Sequence, residues 1–394
     1  MVPAVPALAD VANGWLRRLA ALAPHCRALD FDAAELLEER ARLRGLSVRD
    51  HVSPGGACHF FQAADGWLAI NLPRDSDLEL LPAWLQAEVT HVPLDTLASR
   101  IRGLSRGELL MQGRLLGLAV ALPDTGETPP SPDLPRGRAN VDSPSGRRPV
   151  VVDFSGLWAG PLCTDLLRRA GANVIKVESM TRPDGAREGE KTFYALLNQG
   201  KTAITFNPDR PDSLARLHAL LSRADIVVEA ARPRALRQLG IQASELMARN
   251  PRLTWVSITA HGRDEPAANW IGFGDDAGVA AGLSTPLHRA TGAWQFMGDA
   301  IADPLTGIRA ALVAWACYQR GGGALLDISL SGTAARALRE AATSTELPAH
   351  FAHWWQSTLA GTRRVCAPRR RVTLPVAALG EHDNTLNQRL ALPC

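Results

Sequence analysis

The residue in this chain best placed for covalent chemistry is an aspartate at the head of an apolar helix. In Gly298-Asp-Ala-Ile-Ala-Asp-Pro-Leu-Thr-Gly-Ile-Arg-Ala-Ala311, Asp303 is followed by Pro304. Proline suits the first position of a helix, where its missing N–H would be unpaired anyway. Leu305, Ile308, Leu312 and Trp315 then recur at helical spacing and give that helix one apolar face. Asp303 therefore falls at the expected cap, where the positive end of the helix dipole favours an ionised carboxylate. A carboxylate that is both ionised and held in place can serve as a nucleophile. Asp before Pro is more often a cap than a catalyst, so the rest of the chain must decide.

Other candidates have weaker local support. His261 follows an apolar run and could act as acid or base. Ser155 and Cys163 are conceivable nucleophiles, but no GxSxG elbow surrounds Ser155 and no histidine is adjacent. Asp275 and Asp276 lie in Gly272-Phe-Gly-Asp-Asp-Ala-Gly278 and read as loop residues. The turn Gly156-Leu-Trp-Ala-Gly-Pro161 has glycines that permit close backbone approach. It is neither GxGxxG nor a P-loop, which disfavours NAD and ATP.

Elements able to position these residues follow from length and pattern. At 394 residues the chain has a two-domain prior. Hydrophobic residues make up 46% and charged residues 21%, as in an ordinary globular protein. A net charge of +3 is too small to argue for nucleic acid or a membrane surface. The six cysteines are scattered, with no CxxC pair, which fits free thiols in a reducing cytoplasm and no metal site. No apolar run approaches the ~18 residues of a membrane span, and the N-terminus lacks the basic region of a signal peptide. The expected location is cytoplasmic.

Residues 1–50 read as two helices, one with a stripe of Trp15, Leu16, Leu19, Ala20 and Leu22. The other runs from Ala33 to Leu46, its Glu35, Glu38, Glu39, Arg40, Arg42 and Arg44 forming a solvated face. A strand is expected over 65–72, helices over 81–85 and 97–110, and a buried strand over 115–122. Residues 1–122 thus form a small mixed α/β domain. Residues 123–148, rich in Pro and Ser, are a linker. From Pro149 strands and helices alternate: strands over 149–154, 173–178, 202–206, 225–230, 254–260 and 324–330, with helices between, including 212–223 and 236–248. Such alternation predicts a doubly wound, mainly parallel sheet across 149–394. Near the C-terminus, 350–355 is amphipathic, and Arg363, Arg364 and Arg369 to Arg371 read as a solvated basic loop.

A series of motifs then carries a resemblance. Val152-Asp-Phe-Ser-Gly-Leu-Trp-Ala-Gly-Pro161 and Gly171-Ala-Asn-Val-Ile-Lys-Val-Glu178 come first, then Leu197-Asn-Gln-Gly-Lys201 and Ala224-Asp-Ile-Val-Val-Glu229. Arg232-Pro-Arg-Ala-Leu236, Asn250-Pro-Arg-Leu253 and Ile301-Ala-Asp-Pro-Leu-Thr-Gly307 follow. In order and spacing these resemble the family III CoA-transferases, which have the α-methylacyl-CoA racemases as relatives. The resemblance covers about residues 149–335, and Pro375-Val-Ala-Ala-Leu-Gly-Glu-His382 looks like the family's C-terminal signature.

The resemblance implies a CoA-binding α/β fold and an enzyme that moves CoA between an acyl-CoA and a free carboxylic acid. Its catalytic aspartate forms an anhydride and then a thioester with CoA, and no cofactor stays bound. That aspartate falls on Asp303, because Asp303 and Gly307 meet the family's Asp-x-x-x-Gly spacing; Asp299 is the rival register. The family's CoA contacts carry over to Leu157, Trp158, Ala159, Phe206, Ala230 and Ala231. Ser179 and Ala230 stand where the family has polar contacts, with Arg182, Arg187, Arg232 and Arg234 as candidates to compensate. Gly274 stands where the racemases carry a histidine, which ranks transferase above racemase. The family's small domain normally follows the catalytic half. Here its segments resemble 65–72 and 115–121, which implies a permuted order. The resemblance further implies an interlocked homodimer.

Overall fold

A computed structural model describes residues 5–25, 29–47, 49–87, 93–123, 128–133, 147–231, 233–342, 356 and 370–386. Most of the linker, the amphipathic stretch 350–355, Arg232, Arg363, Arg364 and Arg369 lie outside the described residues.

The chain starts with two helices, α1 (Pro6–Leu22) and α2 (Ala33–Leu43). A three-stranded antiparallel sheet follows, built from β1 (Cys58–Ala63), β2 (Gly66–Asn71) and β3 (Ala119–Ala121) in that order. Between β2 and β3 run α3 (Asp75–Glu79), α4 (Leu81–Trp84), α5 (Leu94–Ile101) and α6 (Arg106–Leu116). The helix expected over 97–110 is thus two helices. Leu115 and Leu116 belong to α6, which ends at Gly117 with φ +82°, a left-handed cap that glycine adopts without steric cost. β1 has no counterpart in the sequence reading; it pairs with β2 from Ala63↔Gly66 to Cys58↔Asn71.

The second half alternates. β4 (Val150–Asp153), α7 (Ala159–Arg169) and β5 (Asn173–Ser179) come first. α8 (Lys191–Asn198), β6 (Thr202–Phe206), α9 (Pro211–Leu221) and β7 (Ile226–Glu229) come next. α10 (Pro233–Gln238) and α11 (Ala243–Arg249) replace the single helix expected over 236–248. Gly240, with φ +71°, separates them. β8 (Thr254–Thr259), α12 (Gly274–Ala280), α13 (Ser284–Thr291), α14 (Ala302–Gln319), β9 (Leu325–Ser329) and α15 (Leu330–Ala341) complete the chain's described elements.

The large sheet is parallel throughout, in the order β6-β5-β4-β7-β8-β9. Its strands are buried on both faces, so they read as unbroken apolar runs. The two-residue period of a strand splits them. Val151, Ile226, Val228 and Val256 face one apolar cluster, while Val152, Ile175, Val177 and Val227 face the other.

α14 is the central helix. It was expected to have one apolar face, but it is buried all round from Pro304 to Tyr318. Gly307 allows its closest approach to α7: a Cβ there would lie 2.7 Å from the Ala159 carbonyl oxygen. α1 and α2 pack into the same cluster as α14 and α7 through Leu8, Trp15, Leu19 and Leu36. They therefore share the large sheet's core. The small sheet has a core of its own, built from Leu68, Ile70, Trp84, Leu97 and Val120. The charged stripe of α2 is not a solvated face, since Glu35 and Glu39 are buried. Arg370 of the C-terminal basic run is buried as well, donating to Asp165 and to the Leu196 carbonyl.

Candidate active site

In an open parallel sheet, ligands bind beyond the carboxyl ends of the strands, where successive connections leave in opposite directions. Here that point lies between β4 and β7. A cavity of about 820 Å³ opens there, lined by the turn after β4, by Ala230 and Ala231 after β7, and by Thr259 at the end of β8 with Ala260 after it. Asp303 lines it, together with Gly274, Asp275 and Ala300.

A buried charge network fixes the turn after β4. Asp153 at the strand's end accepts hydrogen bonds from Ser155 Oγ, from Thr164 Oγ1 at 2.6 Å and from Lys201 Nζ at 3.1 Å. Lys176 Nζ donates to the Ser155 carbonyl and to Asp184, each at 2.9 Å, and Asp184 in turn accepts from the Leu157 N–H at 3.0 Å. Leu157 is thereby held at φ +64°, a conformation rare outside glycine, with its side chain 52% exposed at the cavity. Burial alone would raise the Asp153 carboxyl. Lys201, Lys176 and the two hydroxyls reverse this and hold it below the ordinary range.

Asp303 does not cap its helix. The cap position is Ile301, and Asp303 is already inside the first turn. Its carboxylate faces Gly274 on α12, where a Cβ would lie 2.3 Å from Oδ2 and 2.4 Å from the Ala300 carbonyl oxygen. Only glycine leaves room for the aspartate. The residue before this turn, Ala300, has φ +45°, and its N–H donates to Asp275 Oδ1 at 2.9 Å. The expectation of a carboxylate kept ionised by the helix dipole is overturned. Burial raises Asp303 to about 7; Arg40 and the facing Gly274 N–H lower it, while Asp275 and Asp299 raise it further. Desolvation outweighs the dipole although the half-buried side chain opens on the cavity.

The neighbours extend this acidic cluster. Burial and Asp299 lift Asp275 to about 6, against the pull of Arg40. Burial lifts Asp276 to about 7, although it accepts from Asn71 Nδ2 at 2.9 Å. The two are not loop residues: they form the first turn of α12, and Asp276 accepts the Phe273 N–H at 2.9 Å. Arg40, half-buried on α2, grips Asp299 with Nε at 2.8 Å and Nη2 at 2.5 Å while its guanidinium lies over the Trp158 ring.

Of the residues expected to touch CoA, Leu157, Trp158, Ala159, Ala230 and Ala231 line the cavity. Phe206 does not. It ends β6, the edge strand, and is buried in the apolar cluster beneath α9 with Ile204 and Leu217. Asp299 is buried in its ion pair. His261 is outside the lining; burial and then Arg114 lower it to about 4, and it sits edge-on to Trp270. Ser155 is engaged with Asp153, and burial raises the Cys163 thiol. Arg187 pairs with Glu178, and neither it nor Arg182 lines the cavity. Sequence reasoning missed Arg40, Arg44, Asn71 and Arg74, all on the cavity wall. For Arg40 the signal was its spacing: it lies three and four residues after Leu37 and Leu36, on the buried stripe of α2. Among the described residues no group of His, Cys, Asp and Glu is arranged to hold a metal ion, and no helix is long and apolar enough to cross a membrane.

Fold and site together define a doubly wound α/β protein with a carboxylate-bearing cavity at the sheet's switch point. Residues 148–360 match the model of CoA-transferase family III, and the chain belongs to that family. It is 30% identical to an acyl-CoA transferase of Fusarium pseudograminearum over 46% of this chain and 44% of that one. It is 31% identical to a succinyl-CoA–D-citramalate CoA-transferase of Chloroflexus aurantiacus over 46% and 48%. A solved structure of a hypothetical protein from Mycobacterium tuberculosis is similar at 27% identity and a TM-score of 0.46, covering 50% of this chain and 58% of that one. The chain spans about half the length of the curated relatives it matches.

Proposed function

We propose that this chain is a CoA-transferase that moves CoA from an acyl-CoA thioester to a free carboxylic acid, with Asp303 as nucleophile. The observation that carries this reading is the Asp303 carboxylate: half-buried, lining the cavity, facing an N–H and pushed up to about 7 by desolvation. In the proposed cycle an Asp303 oxygen attacks the thioester carbonyl, the C–S bond breaks and CoA leaves as thiolate, giving an acyl-aspartyl anhydride. The thiolate then attacks the aspartyl carbonyl and releases the first carboxylate. The acceptor acid attacks the aspartyl thioester, and the thiolate returns to the new acyl carbon. One hard exchange thus becomes several easier ones.

The Gly274 N–H that faces the carboxylate would polarise the carbonyl that forms there. Leu157, Trp158, Ala159, Ala230 and Ala231 would contact CoA, which comes and goes as substrate. Some relatives carry dicarboxylic acids in their names, such as the succinate–glutarate CoA-transferase of Agrobacterium fabrum, so small dicarboxylates belong in the assay panel. The small sheet and its helices, residues 58–122, would act as a small domain permuted to the front, with α1 and α2 joined to the core of the CoA domain, residues 123–148 as a linker and residues 149–394 as the CoA domain of a homodimer working in the cytoplasm. A proton-exchange racemase is disfavoured, because Gly274 has no room for a second base and His261 does not reach the cavity lining.

Intact-protein mass spectrometry after mixing with a panel of acyl-CoAs tests the reading. An adduct of acyl or CoA mass is expected, and it should vanish in Asp303→Asn. An adduct of the same yield in that variant would end the proposal.

A further inference from the structure

Every described cation on the cavity wall comes from outside the stretch of chain that matches the family. Among the described residues the lining cations are Arg40 and Arg44 of α2 and Arg74, the cap of α3. None lies within residues 148–360. Inside that stretch, Ala230 and Ala231 bring methyl groups to the cavity rather than charge, and Arg182 and Arg187 are off its lining. Two of the three cations are committed. Arg40 holds Asp299 through Nε and Nη2, with its guanidinium over the Trp158 ring. Arg74 holds Asp77 through Nε, at 3.0 Å, and through Nη2. The Arg44 side chain is exposed and makes no hydrogen bond or ion pair among the described residues.

The packing of α2 places Arg44. Leu36 and Leu37 anchor the helix in the core that it shares with α14. Residues four apart share a helix face, so Leu36, Arg40 and Arg44 form one row. A rise of about 1.5 Å per residue puts Arg44 about 6 Å beyond Arg40 along that row. Arg40 is half-buried over the turn after β4, and Arg44 is exposed, so Arg44 stands at the solvent end of the wall. Glu190, an acid on the same cavity, is turned to the Phe193 N–H as the cap of α8. Resting on the reading of this cavity as the CoA site, we propose that Arg44 holds a phosphate group of CoA. A CoA thioester has to bring its acyl end to Asp303, which leaves its phosphates toward solvent. The acceptor acid is not the ligand of Arg44, because its carboxylate must reach Asp303. An arginine suits the phosphate: its planar fork offers paired N–H donors and keeps its charge at any working pH. A helix outside the family match thereby completes the CoA site.

Titration calorimetry on the full chain compares CoA, dephospho-CoA and pantetheine, which keeps the arm without any phosphate. Arg44→Gln should weaken CoA binding about tenfold or more, the scale of a hydrogen bond to a charged group, and leave pantetheine unchanged. Arg44→Lys should recover part of the loss. Arg182→Gln, which removes an exposed arginine off the cavity lining, should bind CoA as the wild type does. Added salt should weaken CoA binding more steeply in the wild type than in Arg44→Gln. A penalty that disappears with dephospho-CoA assigns the contact to the 3′-phosphate, and one that persists assigns it to the diphosphate. Equal losses for CoA and pantetheine would mean that Arg44 acts only through the shape of the site and would overturn the proposal. An unchanged CoA affinity in Arg44→Gln would also overturn it, while leaving the cavity as the CoA site. Wild-type protein that bound neither CoA nor pantetheine would end the cavity reading, and this assignment with it.

Discussion

Asp153, fully buried at the end of β4, and Asp303, half-buried in the cavity wall at the head of α14, are both carboxylates withdrawn from bulk water. Asp153 meets Lys201, Lys176 and two hydroxyls, so its charge is more than matched and it stays ionised. Asp303 meets two other acids and a single arginine that is already engaged, so burial prevails and it titrates near 7. Desolvation acts on both, and the surplus of partners differs. A saturated carboxylate has no lone pair to offer and can only hold a turn in place. An undersaturated one stores a cost that a reaction can relieve, because acylation removes the charge altogether. Perturbed acids of this second kind cluster at functional sites.

Breaking the second site should cost activity and spare the fold. Asp303→Asn keeps the shape and removes the nucleophile, so adduct formation and transfer should fall by at least about 10³-fold, the scale of losing a covalent catalyst. The melting temperature should hold steady or rise, since an amide needs no desolvation of charge. Breaking the first site should do the reverse. Lys201→Met leaves Asp153 buried with less compensation, and loss of one partner of a buried pair costs about 3–5 kcal/mol. Denaturant unfolding would read this. A mild loss of stability there would show that the network around Asp153 is not the clamp described.

The contrast also marks what the sequence could disclose. The alternation of the large sheet was legible because parallel strands buried on both faces are continuous apolar runs, such as Val150 to Val152, closed by turn residues. Asp303 was legible through its motif. Its protonation was not: that depends on Arg40, Asp275 and Asp299, brought from 263, 28 and 4 residues away by numbering, and no local pattern carries a sum of distant charges. Arg40 was read as solvated because arginines usually are, although its helical spacing put it on the buried stripe. β1 was missed because Cys58 to Ala63 contains no turn signal of its own and depends on β2 for its pairing. Phe206 was carried over by motif position, but an edge strand turned that side chain into the core.

Gly274 sharpens the comparison from the packing side. A methyl group there would meet Asp303 Oδ2 and, within 2.4 Å, the Ala300 carbonyl oxygen, which is backbone and cannot swing away. Gly274→Ala should therefore destabilise by about 1–3 kcal/mol and also slow adduct formation, whereas Gly156→Ala, which would meet only the Asp184 side chain at 3.0 Å, should cost less on both counts. Equal losses would mean that the room at Gly274 is not special.

The smallest effect, and the most diagnostic for the acid cluster, lies in the pH dependence of stability. Desolvation pushes Asp275, Asp276 and Asp303 up to about 6, 7 and 7 in the folded chain, from an ordinary value of 3.8. Between pH 4 and 7 the native state therefore holds protons that the unfolded state has released, and stability must fall as pH rises, levelling off above about 7. Each such group contributes at most about 1.4 kcal/mol per pH unit. Asp153 runs the other way: its lowered value adds stability above pH 4 that is lost on acidification. Asp276→Asn keeps the acceptor for the Phe273 N–H and removes one of the falling contributions. Its unfolding free energy should match wild type near pH 5 and exceed it near pH 8. A parallel pair of curves would mean that Asp276 is ionised throughout, and that the acid surplus around Asp303 is smaller than the geometry requires.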